Sequence, residues 1–115
     1  MLNTPTHTTT NALHCTFRRV GATLIAHVCT EHIDDAMALH LVTQIKQRIE
    51  AGVECDHLTI DLHQVKQAGS SCLSLCLELN NLMELRGGTT AITGLNAHLD
   101  WLFRSVQLDK VLDVA

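Results

Sequence analysis

Two adjacent hydroxyls, Ser70 and Ser71, follow Gly69 where a short apolar segment gives way to a strongly apolar, helix-like one. The first backbone N–H groups of a helix lack intrahelical acceptors and the macrodipole is positive there. A serine at that point can cap the helix or carry a phosphate at modest electrostatic cost. Ser70 reads as a plain cap; Ser71 reads either as a cap, stabilising by about 1 kcal/mol, or as a modifiable acceptor. Cys72 and Cys76 lie one helical turn apart with His63 just upstream, so a metal or redox site can be drawn. The spacing is not CxxC, no second Cys-His pair has ligand spacing, and free cysteine is a common small core residue, which favours a core role. The other histidines, including His27 and His32 near Asp34, show no repeated spacing and read as surface or satisfied core positions. No Ser-His-Asp or paired-carboxylate arrangement is legible, and Arg86-Gly87-Gly88 follows a helix instead of opening one, unlike a phosphate loop. No catalysis, cofactor or metal is expected.

The elements that must position these residues follow from apolar periodicity. Residues 1–11, with five Thr, two Asn and the only Pro, read as a disordered or loosely attached tail, leaving a domain over residues 12–115. Residues 12–18 alternate, with Leu13, Cys15 and Phe17 on one face and His14, Thr16 and Arg18 on the other. A turn at Arg19-Val20-Gly21 leads to a second strand, residues 22–28, whose Leu, Ile and Ala content predicts burial on both faces.

Asp34-Asp35 suit the start of a first helix, in which Met37, Ala38, Leu41, Val42, Ile45 and Ile49 share one arc and Gly52 is the stop. A core strand over 58–62 precedes a second helix opened by Ser70/Ser71 and ended at Gly87-Gly88. A strand over 89–93 follows. Asn96 caps a third helix with an apolar stripe at Leu99, Leu102, Phe103 and Val106, and residues 111–114 form a last edge strand. The order β-β-α-β-α-β-α-β predicts one α/β domain: a mixed, mainly parallel sheet with an N-terminal hairpin and helices packed on it.

Composition limits the function. At 115 residues the chain suits one domain that closes its own core. Hydrophobic residues are 46% but aromatics only 3%, so that core must be aliphatic and thiol-rich. A net charge of −4 argues against a general nucleic-acid or anionic-membrane surface. Five cysteines without a framework, and no basic-then-apolar start, point to a reducing cytoplasm. The longest uncharged stretches, residues 20–30 and 67–77, are too short to span a bilayer, so no direct membrane insertion is expected.

Protein contacts remain. In the second helix Cys72, Leu75, Cys76, Leu79, Leu82 and Met83 fill one half, while Leu73 and Leu77 sit on the other flank beside Asn80 and Glu84. They form either a docking patch near the serines or packing against the first helix. Trp101 lies opposite the stripe of the third helix, as a contact residue or as a ring resting over its neighbours.

The element order, with apolar Leu62 and Val65 ahead of Ser70-Ser71, resembles the STAS domain of anti-sigma-factor antagonists and sulfate transporters over residues 13–114. The family's strand-to-helix segment, an apolar residue followed by Asp-Ser-Ser-Gly-Leu, is met by Ala68-Gly69-Ser70-Ser71-Cys72-Leu73. Ile33-Asp34, Arg86-Gly87-Gly88, Gly94-Leu95-Asn96 and Leu108-Asp109-Lys110-Val111-Leu112 match further family segments. The resemblance implies a non-enzymatic partner-switching phosphoprotein of transcription regulation. It would bind a kinase that is also an anti-sigma factor and be phosphorylated at Ser71. It also gives Asp34 a partner-facing role, so that Asp34, Gly69, Ser70, Ser71, Leu73, Leu77 and Trp101 form the expected contact set.

Gly69 departs from the family acid, Cys72 from the family glycine, and no C-terminal helix of the kind many members carry is expected. Short STAS proteins seated on the ATPase subunit of an ABC lipid transporter share that brevity. A constitutive, unphosphorylated subunit of such a complex is therefore the alternative. Self-association stays open.

Overall fold

A computed structural model describes residues 14–51 and 55–114; the expected tail over residues 1–11, Leu13 and the stop at Gly52 lie outside these. The strands are β1 (Cys15–Val20), β2 (Thr23–Val28), β3 (His32–Ile33), β4 (His57–Asp61), β5 (Gln67–Ala68), β6 (Thr89–Thr93) and β7 (Asp113–Val114). The helices are α1 (Asp35–Glu50), α2 (Ser70–Leu85) and α3 (Ala97–Ser105), with a 3₁₀ turn at Leu108–Lys110. The main sheet has the order β1-β2-β4-β6-β7. β1 and β2 are antiparallel, and the pairs β2·β4, β4·β6 and β6·β7 are parallel. Parallel neighbours need crossovers, which the three helices supply. The expected mixed α/β sheet with an antiparallel margin is what forms.

Local chemistry sets the helix ends. Asp34 Oδ1 accepts the Met37 N–H at 2.8 Å and opens α1 as expected. Asn96 Oδ1 does the same for Leu99 at 2.8 Å, opening α3. Past the end of α2, Gly87 N–H donates to Glu84 O at 3.0 Å and Gly88 N–H to Met83 O at 2.8 Å, a Schellman closure. It needs a left-handed residue, and Gly87 adopts φ +78° without Cβ strain.

One core joins α1 (Ala38, Leu41, Val42, Ile45, Ile49), α2 (Cys72, Leu75, Cys76, Leu79, Met83), α3 (Leu99, Phe103) and one face of the sheet. Here the expected burial of the second strand on both faces is corrected. Leu24, Ala26 and Val28 are buried, whereas Thr23, Ile25 and His27 are only half-buried. All of the core's sheet residues share the helix side, so the described residues build two layers, and the apolar Ile25 lies on the sheet face that no described helix covers.

Four further expectations change. The hairpin turn is Gly21-Ala22, with Val20 opposite Thr23, so β1 extends past the expected Arg19-Val20-Gly21 turn. Val106 leaves the stripe of α3: the helix ends at Ser105, Gln107 turns left-handed at φ +63°, and Val106 is 51% exposed. The last strand is confined to two residues because the N–H groups of Val111 and Leu112 bond back to Leu108 O, at 3.0 and 2.7 Å, and continue the turn past Lys110. Asn80, expected on an outer flank, is buried, since it sits eight residues after Cys72 on the same helical face.

Candidate functional site

All three helices start at the carboxyl ends of the parallel strands, where connections converge. An element not anticipated from sequence brings two of them together: β3 and β5 pair in parallel, with His32 opposite Gln67 and Ile33 opposite Ala68. Glu31 O also accepts the N–H groups of Lys66 at 2.8 Å and Gln67 at 3.0 Å, and Glu31 Oε2 lies 3.3 Å from Lys66 Nζ. Because Asp34 follows Ile33 and Gly69 follows Ala68, this clip sets the starts of α1 and α2 side by side. Asn96 adds the start of α3, its Nδ2 donating to Val65 O at 3.4 Å and Lys66 O at 3.2 Å.

Two open grooves, about 570 and 530 Å³, share Ile33, Asp34 and Gly69. The first runs past His32, Lys66 and His98; the second past Asp35, Ser70 and Ser71. Neither serine is the helix cap, which corrects the sequence expectation. Gly69 occupies the N-cap with extended φ −106°, ψ −158°, and supplies no side-chain bond. The cause is tertiary: pairing of Ala68 with β3 holds the chain extended up to Gly69, so helical geometry begins at Ser70. Ser70 is exposed, Ser71 half-buried, and neither hydroxyl has a hydrogen-bond partner among the described residues.

Apolar side chains flank this turn on both sides. Leu73 and Leu77 do not pack on the first helix. With Ser70, Ser74, Val106 and Leu108 they line an apolar groove of about 250 Å³ toward the end of α3. The α1 side of α2 is instead Ser71, Ser74, Leu75 and Glu78, meeting Ala38, Leu39 and Val42, with Lys46 Nζ 3.4 Å from Glu78 Oε2. Leu39 is 69% exposed in that crease. It was missed in the sequence, although it lies off the core arc of α1, the same signal that singled out Trp101. Trp101 itself is 63% exposed and stacks on His98, with ring centroids 6.5 Å apart. The expected contact residues Asp34, Gly69, Ser70, Ser71, Leu73 and Leu77 are thus gathered at one end, and Trp101 borders them through His98.

A second unforeseen cluster anchors the connection leading to β5. Asp61 Oδ2 accepts from His27 Nδ1 and His63 Nδ1, both at 2.8 Å, and Oδ1 accepts the His63 backbone N–H at 3.1 Å. An ionised carboxylate has no proton to give, so both imidazoles carry theirs on Nδ1. Burial acts to raise the Asp61 pKa, but the hydrogen bonds from His27 and His63 outweigh it and hold the carboxyl below its ordinary value. Gly94, at φ +79°, packs against this cluster: a Cβ there would lie 2.7 Å from His63 N and 2.8 Å from Asp61 Oδ1.

Two thiols, Cys15 and Cys76, are held protonated. A hydrogen bond with Cys72 and burial push the Cys76 thiol well above its ordinary value; burial and then the nearby Cys29 push Cys15 up to about 12. Among the described residues no group of three or more His, Cys, Asp or Glu side chains is placed to hold a metal, and no helix is long and apolar enough to cross a membrane.

The profile of the family described as "Mlab, STAS domain" matches residues 26–113. No curated protein matches the chain significantly in sequence. Among solved structures, the unphosphorylated form of the anti-sigma factor antagonist SpoIIAA superposes with TM-score 0.74 at 16% identity, covering 88% of this chain and 87% of that one. The phosphorylated form of the Bacillus cell fate determinant SpoIIAA gives 0.67 at 16% identity, covering 88% and 90%. An anti-sigma factor antagonist from Mycobacterium paratuberculosis gives 0.75 at 18% identity, covering 87% and 82%. At such identities the likeness is one of fold.

Proposed function

The chain belongs to the STAS domain family, and from that premise we propose that it is a non-enzymatic regulatory protein of the cytoplasm. It binds a protein partner, an anti-sigma factor with kinase activity, through the start of α2, and phosphorylation of Ser71 switches that contact off. The observation that carries this reading is the pair of uncommitted hydroxyls in the first turn of α2, flanked by exposed Leu39 and Leu77. Bare hydroxyls beside apolar side chains suit a docking surface. A phosphate there makes the same surface costly to desolvate, and it faces Asp34 and Asp35 across the shared groove. The N-terminus of α2 tolerates the phosphate when the protein is alone, so binding is lost without refolding. Asp34, Gly69, Leu73 and Trp101 complete the contact surface. That SpoIIAA has solved unphosphorylated and phosphorylated forms of one fold supports a switch of this kind.

Gly69 favours a second reading, a constitutive unphosphorylated subunit held on the ATPase of an ABC lipid-transport complex. A glycine at the cap offers no carboxylate to a kinase-bound metal, and it leaves the docking surface unchanged. Intact-mass and fragment mass spectrometry of protein from growing and stressed cells separates the two. A phosphate on Ser71 that varies with condition, together with a Ser71→Ala variant that keeps its partner permanently, is the expected result. Unmodified protein that always co-purifies with a transporter ATPase would replace the switch with the subunit.

A further inference from the structure

We propose that the open face of the sheet is a homodimerisation surface, on which a second copy packs face to face with its strands parallel and its strand order reversed. This surface lies on the sheet side away from α1 and α2 and is independent of the function proposed above. Strand register lays out a single row across that face: Arg18 beside Ile25, Ile25 beside Thr59, Thr59 beside Ala91, and Ala91 beside Asp113. Arg18 and Asp113 are exposed, the three between them are half-buried, and none belongs to the core.

The rows on either side satisfy themselves within the chain, His27 with Asp61 at 2.8 Å and His57 Nδ1 with Thr89 Oγ1 at 2.6 Å. The middle row does not. Arg18 and Asp113 make no ion pair among the described residues. They stand four strand spacings apart, about 19 Å, too far to meet in one chain.

A two-fold axis along the central strand β4 completes the row. It sets Arg18 of each copy on Asp113 of the other, Ile25 on the small Ala91, and Thr59 on its own equivalent, a self-complementary contact with charges matched at both edges. An axis across the strands would set Arg18 on Arg18, which excludes that arrangement. The axis also sets each Asp61 opposite its equivalent, and each carboxylate is screened by the Nδ1–H groups of its own His27 and His63, both at 2.8 Å. Five strands of about five residues span about 400 Å² per copy. That is half of the ~800 Å² per partner of a standard interface, so the dimer is weak and reversible. The starts of α1 and α2 stay open on both copies.

Sedimentation velocity of the full chain, from low micromolar to near-millimolar concentration, tests the proposal. The average mass should rise toward a dimer. Arg18→Glu or Asp113→Arg alone should weaken association about tenfold or more by placing like charges together, and the double reversal should restore it to within a few-fold. Both positions are exposed, and circular dichroism checks that the variants fold. Thr59→Arg, on the axis, should abolish the dimer. A chain that stays monomeric at every concentration overturns the proposal. So does a dimer indifferent to either single reversal, or a double reversal that fails to restore it.

Discussion

Asp61 is the residue on which two histidine side chains converge. One carboxylate ties the end of β2, through His27, to the connection after β4, through the side chain and backbone of His63. Because its pKa is lowered on folding from 3.8, the group contributes stability that is fully present above the unfolded value and is lost as pH falls through the folded value. Both imidazoles donate from Nδ1 whether neutral or charged, so the hydrogen bonds survive their protonation. Asp61→Asn should therefore be less stable than the natural protein to urea at pH 6. The gap should narrow below pH ~4 and close in stronger acid, as the natural carboxyl also becomes neutral. A gap equally wide at pH 6 and pH 2.5 would show that the carboxylate charge plays no part.

At the scale of elements, α2 begins without the side-chain cap that α1 and α3 have. A Cβ at Gly69 meets nothing within 4 Å, and its φ of −106° suits any residue. Gly69→Asp should therefore stabilise the fold by about 0.3–1 kcal/mol through capping and the macrodipole, measured by thermal or urea unfolding. It also restores the acid that the STAS family carries there. If Gly69 disfavours phosphorylation for want of that carboxylate, the same variant should be a better kinase substrate than the natural protein, which in vitro phosphorylation of the two reads directly. α1 was legible in detail because its cap and apolar arc agree. The start of α2 was misassigned because two serines beside a glycine favour a cap locally, while the pairing of Ala68 with β3 sets the boundary from outside.

For the whole molecule, a single core joins every described helix to one face of the sheet, so the parts should unfold together. Trp101, the only tryptophan, reports α3, while far-ultraviolet circular dichroism reports the sheet and the longer helices. α3 contributes two fully buried side chains, Leu99 and Phe103. Phe103→Ala should cost about 3–5 kcal/mol. Both signals should still shift along one common urea transition; a separate early transition in fluorescence would make α3 a loosely docked addition.

The sequence by itself determined the order of the three described helices and the five strands of the main sheet, the α/β class, the family and the segment where the candidate site begins. Those depend on period, turn chemistry and caps, which neighbouring residues encode: Asp34, Asn96 and Gly87-Gly88 each mark a helix end by their own chemistry. Tertiary structure alone decided which hydroxyls are uncommitted, that Leu73 and Leu77 face Val106 and Leu108, and that Asn80 is buried. It also decided that β2 is covered on one face only and that His27, Asp61 and His63 meet. These depend on which distant segments become neighbours. Two-residue strands such as β3 and β5 carry too few residues to show a period, and an apolar Ile25 reads the same whether a helix of this chain covers it or a second copy does.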